Sequence, residues 1–216
     1  MITFHIISIL PESLHSYLKV GILGRAIRAN KIKVKFYNPR DFTKDKHRTV
    51  DDKTYGGGPG MVMKAEPIIK AVNQAKRNKK NVKIFVFTPA GKQFTNIQAK
   101  TLVKKQAHLI FICGRYEGID ARVKKIFPVE EISIGPYILS GGELPALIVI
   151  DAVARQVPGV LGKLESIEES RIASSEVYTR PECFKYRNKK YQIPKVLSSG
   201  DHQQIVNWRL RHNRQD

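Results

Sequence analysis

Apolar and polar positions along the chain fall into a recurring block: a short β-branched or aromatic run, a glycine-bearing turn, then a run spaced for one helix face. Ile2 to Leu10 predicts a first strand, and Pro11-Glu12 opens a helix leading to Leu14, Tyr17 and Leu18. Gly21 and Gly24 are expected to break that helix before Arg25 to Asn30 resumes it. Ile32 to Tyr37 starts by alternating apolar residues with lysines, which suits a strand near a sheet edge. Asn38 to Lys53 is polar with little periodicity and predicts a mobile loop, running into Gly56-Gly57-Gly58-Pro59-Gly60, which can form no regular element.

Glu66-Pro67 opens a helix carrying Ile68, Ile69, Val72 and Ala75. Val82 to Phe87 is then continuously apolar, as in a parallel sheet covered on both faces. Thr88 to Lys92 follows as its loop and Asn96 to Lys105 as the next helix. His108 to Cys113, Gly114 to Gly118 and Ile119 to Lys125 repeat strand, loop and helix, and Glu130 to Ile134 begins the block again. Its loop holds Gly135, Pro136, Gly141 and Gly142, and Glu143 with Pro145 opens a long apolar helix. Such repetition predicts an α/β fold with a parallel sheet. Ligands of parallel sheets gather at the carboxyl ends of strands, so the loops at 88–91, 114–118 and 135–142 are expected to share one rim and form a small-molecule pocket. A loop of this composition also serves as a plain tight connector.

Composition narrows the partners. The 216 residues hold 38 Lys and Arg against 19 Asp and Glu, a formal charge of +19. That surplus favours a polyanion, although a lysine-rich background alone also produces it. Cys113 and Cys183 lie far apart with no ligand-spaced histidine, so neither a disulfide framework nor a zinc site is expected. No apolar run approaches a membrane span, and the amino terminus lacks a basic leader, which points to the cytosol. The glycine run at 56–60 is not a Walker loop, because no Gly-Lys-Ser/Thr closes it.

After Gly162 the character changes. Residues 163–176 read as an acidic connector, and residues 177–216 as a small second unit. It carries the basic patch Lys185 to Tyr191 and a last helix through Ile205, Trp208, Leu210 and Arg214, capped by Ser199 or Asp201.

The strings Gly56-Gly57-Gly58-Pro59-Gly60-Met61, Cys113-Gly114-Arg115-Tyr116-Glu117-Gly118-Ile119-Asp120, Leu139-Ser140-Gly141-Gly142-Glu143-Leu144-Pro145, Pro158-Gly159-Val160-Leu161-Gly162 and Tyr178-Thr179-Arg180-Pro181, in this order, resemble the bacterial tRNA (guanine-N1)-methyltransferases. The resemblance runs from the first strand to the last helix. It implies the SPOUT class: a mostly parallel sheet flanked by helices with a C-terminal trefoil knot (residues 1–162), a linker (163–176) and a small helical tRNA-binding domain (177–216), acting as a homodimer. It also implies S-adenosylmethionine as methyl donor and, as acceptor, N1 of the guanosine immediately 3′ of the tRNA anticodon.

Donor-binding positions implied by the resemblance are Pro89, Gly114, Ile134, Gly135, Pro136, Tyr137, Ile138, Leu139 and Gly141. The family usually has an aspartate where this chain has Pro136, so only main-chain contacts from its neighbours are expected there. Methylating a guanine N1 requires a base to take its proton and a cation to meet charge on O6. The resemblance gives the cation role to Arg155 and the base role to Glu169, with Glu168 as the fallback. The family's base is an aspartate, and the glutamate's extra methylene moves the carboxylate by about 1 Å. Gly58, Tyr116 and Glu117 match residues near the target base, Glu117 being also the position implied for a Mg²⁺ ion. Lys185, Arg187, Lys189 and Arg209 are the candidates for gripping tRNA.

Overall fold

The central strands of the first unit are largely apolar on both sides because both faces of the sheet are covered there. The computed structural model describes residues 1–105, 107–162 and 176–212, which form two compact units, the first ending at Gly162. In chain order the first unit holds β1 (Ile2–Ile7), α1 (Glu12–Lys19), α2 (Gly21–Arg28), β2 (Ile32–Tyr37), β3 (Asp51–Asp52), β4 (Val62–Met63), α3 (Ala65–Lys76), β5 (Val82–Gln93), α4 (Asn96–Lys105), β6 (His108–Ile112), α5 (Arg122–Ile126), β7 (Val129–Ser133) and α6 (Glu143–Arg155). Five of these strands make one parallel sheet in the order β2-β1-β6-β5-β7. The chain thus moves from β5 to its neighbour β6 and then returns past β5 to reach β7.

Leu109 and Phe111 enter the core on one face, with α1, α2, α4 and α6, whereas Ile110 and Ile112 enter on the other, with α3 and α5. Alternate residues of one strand therefore serve two cores, which is why the run shows no polar alternation. Phe111 sits at the centre of the first core, stacked on Phe4 at 6.2 Å and on Phe85 at 5.8 Å between ring centroids. Helix α6 buries Ala146, Val149, Ile150, Val153 and Ala154.

Several local expectations change. The first helix breaks at Val20, and Gly24 lies inside α2, where a side chain would strike the Lys19 carbonyl. The segment 38–53 is built rather than irregular: Asn38 accepts from the Arg40 N–H at 3.0 Å to cap a 3-10 turn over Pro39–Phe42, and β3 pairs antiparallel with β4. Strand β5 does not stop at Phe87. It runs on to Gln93 through an irregularity, Phe87 and Lys92 both facing Ile132. The helix expected from Ile119 starts at Arg122.

The second unit was expected to be helical and also contains a β-hairpin. Strands β8 (Cys183–Tyr186) and β9 (Lys189–Gln192) pair antiparallel across Arg187 and Asn188, both at positive φ as a two-residue hairpin turn requires. Helix α7 (Lys195–Ser198) and helix α8 (His202–Arg211) follow, the latter capped by Asp201, whose side chain accepts from the Gln204 N–H at 3.0 Å. Among the described residues of this unit none is fully buried.

Candidate functional site

The carboxyl ends of β5, β6 and β7 enclose a cavity of about 450 Å³. Three segments wall it: the irregular part of β5, the loop after β6 and the loop after β7. In β5, residues 88–91 leave the ladder and Gly91 presses on β7, so that a Cβ there would lie 2.7 Å from the Ile132 nitrogen. After β7, Ser133 folds the chain back on itself: its hydroxyl accepts from the Gly135 N–H at 3.2 Å and donates to the Gly135 carbonyl at 3.0 Å. The two later loops are joined by the Gly142 N–H donating to the Gly114 carbonyl at 2.9 Å.

Gly142 is glycine for closeness, not for φ, which is −82°. A Cβ there would lie 2.6 Å from the Cα of Cys113. At Gly141 it would strike the Arg115 guanidinium and come within 2.7 Å of Glu143 Oε2.

Of the sequence-predicted donor positions, Pro89, Gly114, Ile134, Gly135, Tyr137, Ile138, Leu139 and Gly141 line this cavity, and so do Tyr116 and Glu117. Pro136 does not; it is exposed beside the cavity and has no N–H to offer. Gly58 lies at the exposed tip between β3 and β4. That loop is nonetheless fixed to the cavity wall. The Met63 N–H donates to the Gly118 carbonyl at 3.0 Å and the Glu117 N–H to the Met61 carbonyl at 2.9 Å, and Gly60 rests so closely on the Glu117 side chain that a Cβ would be 2.6 Å away.

Sequence reasoning gave no site role to three lining residues, Arg115, Lys124 and Glu131, or to Glu143 behind them, which together set the electrostatics. Arg115 pairs with the buried Glu143 at 2.9 Å, and Lys124 pairs with Glu131 at 2.8 Å. Glu143 also accepts from the buried Ser8 hydroxyl at 2.6 Å. No local signal marks Ser8, which ends up beside Glu143 only through the sheet order. The Cys113 thiol, fully buried, is pushed well above its usual value by burial and then by the Glu143 carboxylate, which makes it a packing residue rather than a nucleophile.

Arg155 is the last residue of α6, half-buried, and makes no ion pair among the described residues. Glu168 and Glu169 lie outside the described residues, as does Arg214. No group of three His, Cys, Asp or Glu suited to a metal occurs among the described residues. Around the cavity Glu131 and Glu143 are already paired, which leaves Glu117 as the one acid without an ion pair among the described lining residues.

In the second unit, Phe184 stacks on Tyr191 at 5.5 Å and Trp208 on His212 at 4.3 Å. Lys185 stands directly across the hairpin from Lys190, a like-charge pairing that costs stability unless an anion joins it. Arg187 lies over Tyr186 at 5.4 Å and Lys189 over Tyr191 at 5.9 Å. Lys185, Arg187, Lys189 and Arg209 make no ion pair among the described residues.

A cavity walled by main chain and glycine, with aromatic Tyr116 and Tyr137 and one unpaired acid, suits a small polar ligand bearing a planar ring. No described helix is long and apolar enough to cross a membrane. A family profile described as tRNA (Guanine-1)-methyltransferase TrmD matches residues 2–216. Curated proteins named tRNA (guanine-N(1)-)-methyltransferase are also similar. One from Pseudoalteromonas atlantica is 47% identical over 95% of this chain and 78% of its own length. One from Buchnera aphidicola of Acyrthosiphon pisum is 44% identical over 99% of this chain and 90% of its own. One from Dictyoglomus turgidum is 47% identical over 98% and 84%.

Proposed function

The chain belongs to the tRNA (guanine-1)-methyltransferase family, and from that premise we propose that the tRNA guanine it methylates at N1, with S-adenosylmethionine as donor, is the one immediately 3′ of the anticodon. The observation that carries this reading is the convergence of the three glycine-bearing segments on one cavity that also presents Tyr116 and Glu117.

The donor fits the cavity's chemistry. Main-chain groups of Ile134, Gly135, Tyr137, Ile138 and Leu139 line the wall after β7 and would hold the adenine and ribose, with Pro89 and Gly114 opposite. When bound, the donor supplies an electrophilic sulfonium methyl. The protein's part is to aim N1 at it and remove the N1 proton. We assign that proton to Glu169 and the charge growing on O6 to Arg155. Its unpaired guanidinium fits that task better than a structural helix-end role, because no carboxylate among the described residues holds it. The loop at 56–60, with Gly58 at its tip, would close over the flipped base, since N1 is hidden in a stacked helix.

The remaining features are assigned on the same footing. Residues 177–216, after the linker 163–176, serve as the tRNA-gripping domain through Lys185, Arg187, Lys189 and Arg209. A trefoil knot is assigned to the region of the loop after β7, a reading supported by the close approach of Gly142 to Cys113 and Gly114. A homodimer is supported by Leu144 and Ile148, apolar residues of α6 left exposed in the single chain. The setting is the cytoplasm.

The test is incubation of the full chain with methyl-labelled donor and two unmodified tRNAs, one with guanosine and one with adenosine 3′ of the anticodon. Label is expected in N1-methylguanosine from the first alone. Label in both, or in neither, overturns the assignment.

A further inference from the structure

We propose that Ser8, Glu143 and Arg115 form a positioning device that sets the shape of the donor cavity before the donor arrives. The inference rests on the donor reading above and adds residues to which that reading gives no part.

Glu143 is 5% exposed, and both of its oxygens are committed. Oε1 accepts from Ser8 Oγ at 2.6 Å, and Oε2 accepts from Arg115 Nε at 2.9 Å. Ser8 is fixed in turn, because its oxygen also accepts from the Leu10 N–H at 3.0 Å. The carboxylate is therefore anchored to the end of β1, a part of the sheet that does not line the cavity.

Arg115, held by that anchor, reaches the ligand wall. Its Nη1 donates to the Ser140 carbonyl at 3.4 Å, and its main-chain N–H donates to Met63 Sδ at 3.3 Å, the latter at the base of the glycine hairpin. Arg115 thus ties the loop after β6 to the Ser140-Gly141 segment and, through Glu143 and Ser8, to the end of β1 with its side chain, and to the root of the 56–60 loop with its main chain. Gly141 is the space through which this pair passes, since a Cβ there would collide with both partners, while Gly142 leaves room for the main chain of Cys113 and Gly114.

A charge pair this enclosed is weak evidence for stability, because apolar replacement of both partners is often neutral while loss of one leaves the other stranded. It is a good way to fix geometry. The Arg115 fork has directional donors, and its placement determines where the Ser140 carbonyl and the Gly141 main chain face the cavity.

That asymmetry supplies the test. Binding of S-adenosylhomocysteine is measured by titration calorimetry, alongside thermal midpoints, for wild type, Ser8→Ala, Glu143→Gln and the double variant Arg115→Met/Glu143→Leu. Ser8→Ala removes one of two anchors and is expected to weaken binding by roughly tenfold, the effect of one hydrogen bond to a charged group. In turnover it should raise KM for the donor and leave kcat at saturating donor within about twofold. Glu143→Gln is expected to weaken binding at least as much. The double variant is expected to melt near wild type yet bind roughly tenfold or more weakly, since the fold is relieved of a stranded charge while the wall is no longer aimed. Recovery of affinity together with stability would make the pair a packing feature only and overturn the proposal. So would a folded Ser8→Ala protein that binds as wild type does. A wild-type protein that gives no heat with this probe overturns the donor reading itself, a result distinct from a failure confined to the variants.

Discussion

The cavity rim and the basic hairpin use the same residue types in opposite ways. At the rim, charged groups are bonded to one another: Arg115 to Glu143, Lys124 to Glu131, with Ser8 behind them. On the hairpin, Lys185 faces Lys190, and the neighbouring cations rest on tyrosine rings rather than on carboxylates. The rim is held by a core with Phe111 at its centre, whereas the second unit is held by aromatic pairs with no fully buried residue among those described. A small ligand bound many times over is served by geometry fixed in advance, because ordering is then not charged against each binding event. A long phosphate backbone is served by unpaired cations on a surface that can adjust, where affinity comes from released counterions.

The contrast breaks most visibly in stability. Phe111→Ala should cost the first unit about 3–5 kcal/mol, through lost transfer energy and the cavity left behind. Trp208→Ala, at a site that is not fully buried, should cost the second unit about 1 kcal/mol. Urea unfolding followed by amide exchange in each unit checks both, and equal costs would mean that the second unit has a core the contrast denies it.

Catalysis comes next in size. Arg155→Ala should lower kcat by about 10²- to 10³-fold, as loss of a donor aimed at developing charge does, with donor affinity by calorimetry within about twofold of wild type. Unchanged turnover would remove Arg155 from the reaction. Glu169→Gln should be far more damaging than Glu168→Gln in single-turnover assays, and matching wild-type rates in both would remove the assigned base.

How much of this was legible beforehand differs by level. Periodicity located β1, β2, β6, α4 and α6 closely because their burial repeats along the chain. The shared rim followed from the carboxyl-end rule once the strand-loop-helix blocks were counted. Non-local relations were not legible. The extension of β5 through residues 88–93 depends on pairing with β7, and a Thr-Pro-Ala-Gly run reads locally as a turn. Order in 38–53 depends on Asn38 as a cap and on β4 as a partner for β3. The hairpin at 183–192 carries a local signal in Phe184 and Tyr186 alternating with Lys185, but its turn at Arg187-Asn188 holds no glycine to mark it. Gly141 and Gly142 were read as permitting positive φ or close approach, and contact with Arg115 and Cys113 selects close approach. Glu143 looked like a helix opener, and its link to Ser8 spans 135 residues that no local pattern connects.

Smaller effects sharpen the comparison from the RNA side. Replacing Lys185, Arg187 and Lys189 together with glutamine should lower tRNA affinity and flatten its dependence on salt, by about 2 in the slope of log affinity against log salt if each cation meets one phosphate. Donor affinity should stay the same. Filter binding across a salt series reads the slope, and an unchanged slope would place the phosphate contacts elsewhere.

The last difference is acid sensitivity between neutral pH and about pH 5, to which a buried histidine of the first unit contributes. His5 on β1 is wholly buried, 3.0 Å from the Tyr37 hydroxyl and 3.2 Å from His108 Nδ1. Burial first, then Lys79, His108 and Lys35, hold its pKa down to about 3 from the usual 6.5, and His108 is lowered as well by burial and the same lysines. The unfolded chain takes up a proton at His5 below 6.5 while the folded chain refuses it until about 3. The contribution is therefore complete above 6.5 and is lost as pH falls toward 3, with a slope from His5 of at most about 1.4 kcal/mol per pH unit. His5→Phe should remove that part of the slope and lower the neutral-pH stability by roughly 1 kcal/mol, because Tyr37 and His108 each lose a partner. The single tryptophan, Trp208, lies in the second unit, so its fluorescence follows that unit while far-ultraviolet dichroism is dominated by the helices of the first. Urea midpoints taken by dichroism should fall between neutral pH and about pH 5 in wild type and less so in His5→Phe. A wild-type midpoint that stays level across that window would mean that His5 is charged in the folded state, contrary to its enclosure between two other rings.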